Sequence, residues 1–85
     1  PIHNLLPTVT IASATRNGNI LTFPVTVSEN VEVRYTSTVG NLLISRLTGN
    51  GNIILDVNNL PTGTTGVLKA GFKYYTNKAN STFTV

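Results

Sequence analysis

The chain has 85 residues, of which 40% are hydrophobic and 11% are charged, and six Lys and Arg against three acids give a net charge of +3. This length allows one small domain with a single core and excludes two lobes around a deep cleft. The absence of Cys excludes a disulfide framework and a Cys-based zinc site. The longest apolar run, at 42–44, is far shorter than the roughly 20 residues of a membrane span, so we expect no membrane insertion.

The polar surface is built from Thr, Asn and Ser more than from charged residues, since ordinary soluble domains carry about 25% charged residues. Such surfaces are common in secreted and cell-surface bacterial β-modules, and we expect an extracellular or cell-surface location in a bacterium. The six cations are scattered along the sequence and form no phosphate-binding stripe. We therefore expect no nucleic-acid partner.

The first third of the chain predicts a linker and a hairpin. Residues 1–6 are interpreted as a linker, and Pro7 suits the start of an edge strand because it has a fixed φ and no N–H. Residues 8–13 alternate between apolar and polar and predict a first strand. Asn17-Gly18 predicts a tight turn with positive φ, followed by a second strand over 20–27. Four apolar side chains of that strand share one face: Leu21, Phe23, Val25 and Val27.

The middle of the chain predicts three more strands. Pro24, within the second strand, has no N–H to donate to a neighbouring strand. Either its N side therefore faces outward, or a bulge breaks the pairing there. A third strand is predicted over 31–38, with Val31, Val33 and Tyr35 inward. Residues 42–47 predict a short strand of ambiguous facing because their apolar residues are adjacent. A second hairpin-type turn at 48–52 leads to a strand over 53–57.

The last third predicts a loop anchored by Leu60 and two closing strands, over 67–75 and 81–85. In the first of these, Leu68, Ala70, Phe72 and Tyr74 share the predicted core face, and Lys69, Gly71, Lys73 and Tyr75 share the other. The chain shows no helical periodicity. The sequence therefore predicts one all-β domain over 7–85, a two-sheet antiparallel sandwich of about seven strands.

The closing segment also resembles a known group of modules. The run 59–85, with Leu60-Pro61-Thr62-Gly63-Thr64 before a strand and Asn80-Ser81-Thr82-Phe83-Thr84-Val85 at its end, resembles the closing half of bacterial immunoglobulin-like and fibronectin type III-like modules. The front segments 7–11, 23–29 and 31–36 are similar to cadherin-like and Calx-beta-like repeats. This resemblance covers most of the chain and implies an immunoglobulin-like sandwich.

Two positions depart from the pattern of these modules. Thr65-Gly66 stands where they usually carry an aromatic residue, so the tyrosine corner is absent or moved. Calcium-binding relatives carry acidic clusters at their strand ends, whereas this chain has three acids in total. We therefore expect no metal site.

Residues suited to catalysis are few. His3 is the sole histidine. The residue types of a catalytic triad are present in His3, Asp56 and several serines, but nothing in the sequence indicates that they lie together. We interpret His3 as an exposed tail residue and Asp56 as a solvated strand carboxylate. Glu29 and Glu32 are the only close carboxylate pair, and we interpret them as surface charges. The sequence predicts a protein that is not an enzyme and that uses no cofactor.

The candidate partner-binding face consists of Lys69, Lys73 and Tyr75, which period-2 spacing aligns on one side of the predicted sixth strand, with Arg34 alongside. One interpretation makes this face a docking surface for a partner domain, an acidic polymer or a glycan. The other makes it a solvated sheet face whose lysines discourage edge pairing. Tyr75 is the one tyrosine expected outside the core, which makes a weak sugar platform.

These observations favour a non-catalytic structural, spacer or accessory module of a secreted or surface-attached bacterial multidomain protein. Its expected partners are the neighbouring domains of the same polypeptide. One alternative is a glycan- or protein-binding module of the adhesin or carbohydrate-binding type. Another is an immunoglobulin-like decoration domain of a phage structural protein.

Overall fold

The computed structural model of the chain describes residues 6–85, and within them all regular structure is β. The strands are β1 (Val9–Ile11), β2 (Thr15–Asn17), β3 (Ile20–Val27), β4 (Glu32–Ser37), β5 (Asn41–Leu42), β6 (Arg46–Thr48), β7 (Gly51–Asp56), β8 (Thr65–Phe72) and β9 (Lys78–Thr84). The predicted linker and His3 lie outside the described residues, except for Leu6, which is exposed.

The strands form two antiparallel sheets, which confirms the predicted all-β class. The five-stranded sheet has the order β1-β3-β7-β5, and β2 also pairs with β3. The four-stranded sheet has the order β6-β4-β8-β9. Neighbouring strands in both sheets run antiparallel to each other.

One hydrophobic core lies between the two sheets. The four side chains predicted to share a face of β3 are all buried, as are Ile53 and Leu55 of β7. From the four-stranded sheet, Val33, Tyr35 and Leu68 complete the same cluster. Phe23 of β3 meets Phe83 of β9 edge to face, with ring centroids 5.4 Å apart, a favoured geometry for aromatic pairs.

Pro24 is accommodated by a break in the strands opposite it. β1 pairs with β3 only from Val25 to Val27, and β2 pairs with it only from Ile20 to Thr22. The Pro24 carbonyl accepts from the N–H of Ala12 at 2.8 Å, so its N atom faces the gap between β1 and β2. Between these pairings, three residues (12–14) lie opposite two residues of β3 (23–24), so one extra residue forms a bulge. The second of the two predicted solutions is therefore correct.

The predicted first hairpin is present. Asn17 pairs with Ile20 across a two-residue connection, and Gly18 has a φ of 62°. A positive φ at this position suits the tight turns that match the twist of a hairpin.

The predicted strand over 42–47 is wrong, because this segment crosses between the sheets. β5 pairs with β7 in the five-stranded sheet, and β6 pairs with β4 in the four-stranded sheet. Leu42 and Leu47 pack against the core from different sheets, while Leu43 and Ile44 between them are exposed. This division, with the separate β1 and β2, gives nine strands in residues 6–85 where the sequence predicts about seven.

The turn predicted as a second hairpin is a corner between the sheets. Gly49 and Asn50 join β6 to β7, which do not pair with each other. Gly49 has a φ of 73°, and its N–H donates to the Val31 carbonyl at 3.0 Å. The Asn50 Oδ1 accepts from the N–H of Val27 at 2.7 Å. These bonds tie the corner to both sheets, which a glycine-rich turn motif alone does not specify.

The predicted core position of Tyr74 is wrong, since its side chain is 79% exposed. β8 ends at Phe72, and the chain turns back over residues 73–77 to start β9. The side-chain amide of Asn77 donates to the Pro7 carbonyl at 2.9 Å and anchors this turn. The period-2 pattern of the sequence therefore continues past the real end of the strand.

Candidate binding surface

The outer face of the four-stranded sheet collects most of the cations of the chain. Because Val33 and Tyr35 of β4 point into the core, Arg34 between them points outward. Arg46 of β6 lies directly opposite Arg34 on one side. Gly71 of β8 lies opposite Arg34 on the other side, and Gly71 itself pairs with Lys78 of β9.

A second row crosses the same face two residues farther along the strands. Lys69 of β8 lies between Thr36 of β4 and Asn80 of β9. All three side chains are exposed. We call the set Arg34, Arg46, Lys69 and Lys78 the basic face. Neighbouring strands are about 4.8 Å apart, so the row from Arg46 to Lys78 extends about 14 Å across the sheet.

The charge of the chain is unevenly divided between its surfaces. With Lys73 just past the end of β8, five of the six cations lie on or at the rim of the basic face. Among the described residues, Glu32 is the one carboxylate on that side, and its Oε2 lies 3.2 Å from the Nε of Arg34. Both side chains are substantially exposed, so this pair contributes little stability. The remaining charges are Arg16, Glu29 and Asp56.

The floor of the basic face is open. Apart from its two chain neighbours, a Cβ added at Gly71 would meet no described atom within 4 Å, so there is room for a further group above Gly71, between the strands of Arg34 and Lys78. A groove of about 320 Å³ runs beside it and is lined by Arg34, Tyr35, Thr36, Ser45 and Arg46. The two arginines can both reach a group lying along this groove.

A second candidate lies where the loops of one end gather. A groove of about 360 Å³ is lined by Val31, Glu32 and residues 72–75. The Nζ of Lys73 lies 5.3 Å from the centroid of the Tyr74 ring, within the range of a cation–π contact. Phe72 and Tyr75 meet edge to face with centroids 6.0 Å apart. Two exposed tyrosines beside a lysine and a carboxylate can stack on a sugar ring and bond its hydroxyls.

The structure divides the candidate face predicted from the sequence into these two places. Arg34 and Lys69 lie on adjacent, paired strands, as expected. Lys73 and Tyr75 lie in the segment after β8 and not on the strand.

Sequence reasoning missed Arg46, Lys78 and Tyr74. Counting backward in steps of two from the buried Phe83 places Ala79 inward and Lys78 outward, so Lys78 could have been found. Counting back from the half-buried Leu47 places Arg46 outward in the same way. Tyr74 gives no such signal, because the alternation of apolar and polar residues continues past the end of β8.

Other titratable groups offer little chemistry. Residues 6–85 contain no group of three or more His, Cys, Asp and Glu placed to hold a metal ion. Asp56 accepts from the N–H of Asn58 at 2.8 Å and stabilises a turn. Burial raises the pKa of Tyr35 from 10.0 to about 12, so its phenol stays protonated in the folded chain at neutral and moderately alkaline pH. No helix in the described part of the chain is long and apolar enough to cross a membrane.

The sequence matches no protein-family model, and neither a curated protein nor a solved structure matches the chain. Its topology and its surface chemistry are therefore the grounds for assigning a function.

Proposed function

We propose that the chain is an immunoglobulin-like β-sandwich module without catalytic activity, which serves as a spacer or accessory domain in a secreted or surface-attached bacterial multidomain protein. The resemblance of 59–85 to the closing half of such modules supports this proposal. The low charge and the Thr-, Asn- and Ser-rich surface agree with it.

The strand order supports the immunoglobulin-like assignment. Immunoglobulin constant-type domains place strands A, B, E and D in one sheet and C, F and G in the other. The order β1-β3-β7-β5 corresponds to A-B-E-D, and β4-β8-β9 corresponds to C-F-G. β6 adds an edge strand beside β4, on the side where variable-type domains carry additional strands next to strand C, but it follows β5 in the chain.

The observation that carries the spacer role is that β1 begins and β9 ends at opposite ends of the domain. The carbonyl of Pro7, just before β1, accepts a hydrogen bond from the side-chain amide of Asn77, just before β9. After β9, the N–H of Val85 donates to the Thr64 carbonyl at the other end, and the Val85 carbonyl accepts from the N–H of Gly63. The seven residues of β9 separate these points by roughly 24 Å at 3.4 Å per residue. Copies joined through these ends can therefore form an extended array.

A protein made of two tandem copies of the chain tests this role. Two copies joined by a short polar linker should scatter X-rays as an elongated particle, with a maximum dimension increased by about one domain length. Each copy should unfold at the midpoint of the single domain, because an end-to-end contact buries little surface. A tandem particle in which the copies pack side by side would contradict the spacer role.

A second candidate function, binding of a glycan or a protein, is favoured by the exposure of Tyr74 in the loop groove. Aromatic rings beside polar groups are the usual platform for neutral sugars. A glycan array with the wild type and a Tyr74→Ala variant tests it, with Leu43→Ala as a control for loss of another exposed apolar side chain. Binding that Tyr74→Ala abolishes and Leu43→Ala preserves would support this function, and no binding by the wild type would oppose it.

A further inference from the structure

We propose that the basic face binds a linear anionic polysaccharide, a glycan that carries carboxylate or sulfate groups along its length. This inference goes beyond the proposed module role and does not depend on it. Its ligand also differs from that of the loop groove, where the aromatic rings would contact neutral sugars. The two sites meet at Glu32 and Lys73, which line that groove.

The first support is the separation of charge. The basic face and its rim hold five cations and one carboxylate, whereas the remaining charged side chains of the chain are one cation and two carboxylates. Field lines from cations gathered on one face raise the local concentration of a polyanion there. A chain with a net charge of only +3 thus presents one strongly positive surface.

The second support is a pair of like charges whose mutual repulsion the fold does not fully offset. Arg34 and Arg46 are direct cross-strand neighbours, a placement that destabilises an antiparallel sheet when both charges have the same sign. Within residues 6–85, Glu32 forms an ion pair with Arg34, and Arg46 has none. An anionic group in the groove beside the two arginines would offset the repulsion between them.

The third support is the shape of the face. The row from Arg46 through Arg34 to Lys78 crosses the sheet over an open floor at Gly71. Lys69 lies in the next outward position along β8, about 7 Å from this row. An extended polymer lying across the strands can contact these cations in succession without any rearrangement of the backbone.

The polar residues that surround the cations on the same strands favour a polysaccharide over other polyanions. Thr36, Thr48, Asn80 and Thr82 are polar residues of the strands that carry this face, and hydroxyl and amide groups both donate and accept, as sugar hydroxyls do. The rows of this face include no aromatic side chain on which a nucleobase could stack. They also include none of the buried aromatic anchors on which protein interfaces depend.

Binding of defined probes to the 85-residue chain tests the proposal. The probes are a short oligogalacturonate, which carries carboxylates, a heparin oligosaccharide, which carries mainly sulfates, neutral dextran, and single-stranded DNA of matched charge. We expect calorimetry at low salt to detect at least one of the anionic glycans and not dextran. The affinity should fall as salt is raised, because the contacts are electrostatic. The two glycan arms identify which anionic group is preferred.

Matched variants locate the site. Arg34→Gln/Arg46→Gln should weaken glycan binding about tenfold, since hydrogen bonds to charged groups are the strong ones. The control is Arg16→Gln, which removes the one Lys or Arg away from this face and should leave the affinity within about twofold. Thermal unfolding checks that each variant folds. Equal losses in the double variant and the control, tighter binding of single-stranded DNA, or no binding of either anionic glycan would overturn the proposal.

Discussion

Replacing Tyr35 by Phe should stabilise the protein, although the residue lies in the core. Tyr35 is 2% exposed, and its buried hydroxyl has no hydrogen-bond partner within residues 6–85. An unsatisfied buried polar group costs about 1 to 3 kcal/mol. Phe keeps the ring and removes only the hydroxyl, so we expect the free energy of unfolding to rise by about 1 kcal/mol, the lower end of that range.

The same substitution should remove a loss of stability at high pH. Burial raises the pKa of Tyr35 from 10.0 to about 12. Well below pH 10 the phenol is protonated in both the folded and the unfolded chain, and its contribution is constant. As the pH rises from 10 to 12, the unfolded chain loses this proton first, so the folded state is progressively destabilised. The difference in pKa corresponds to roughly 2 to 3 kcal/mol at pH values above the folded pKa.

Urea denaturation followed by far-ultraviolet circular dichroism measures both effects. The wild type and Tyr35→Phe are compared near neutral pH and again between the two pKa values, with Tyr74→Phe as the control, because Tyr74 is exposed. The advantage of Tyr35→Phe should widen at the higher pH, whereas Tyr74→Phe should follow the wild type. A loss of stability in Tyr35→Phe near neutral pH would refute the reasoning, since it would show that the hydroxyl makes a favourable bond.

Two pairs of substitutions test the packing with thermal or urea unfolding. Gly66→Ala should lower the free energy of unfolding by about 1 to 3 kcal/mol, because its Cβ would lie 2.6 Å from the ring of Phe83. Gly71→Ala should leave it unchanged or raise it by up to about 1 kcal/mol, because no described atom except those of its chain neighbours lies within 4 Å of the new Cβ. Equal costs for the two glycine variants would contradict the packing described. Leu55→Ala should lower the free energy of unfolding by about 3 kcal/mol, because Leu55 is fully buried. Leu60→Ala should lower it by about 1 kcal/mol, because Leu60 is half-buried. A larger cost at Leu60 than at Leu55 would show that the loop anchors the core more strongly than its burial indicates.

Period-2 alternation predicts the fold best where a strand is long and flanked by turn residues. β3 begins and ends at the residues predicted for it, with Gly18 just before and a polar segment after. The pattern fails over 42–47, because three adjacent apolar residues fit neither face of one strand. It fails again at Tyr74, where the alternation continues past the end of β8. Strand ends depend on pairing partners, which local alternation does not reveal.

The basic face shows a different limit of sequence reasoning. Its four cations come from four different strands, so the sequence shows them as scattered charges. Alternation predicts which of them point outward, but only the pairing of β6, β4, β8 and β9 places them side by side. Strand order and register are set by long-range contacts. The sequence could therefore predict which residue types the site contains, but not which residues lie side by side in it.

The two sheets share one core, and the outward direction of the basic face follows from that arrangement. A nuclear Overhauser spectrum of the chain tests it most directly through the contact between Phe23 of β3 and Phe83 of β9. With ring centroids 5.4 Å apart, the two rings should give direct cross-peaks between their protons. Cross-peaks from each ring to residues of its own sheet alone, with none between the rings, would contradict the arrangement.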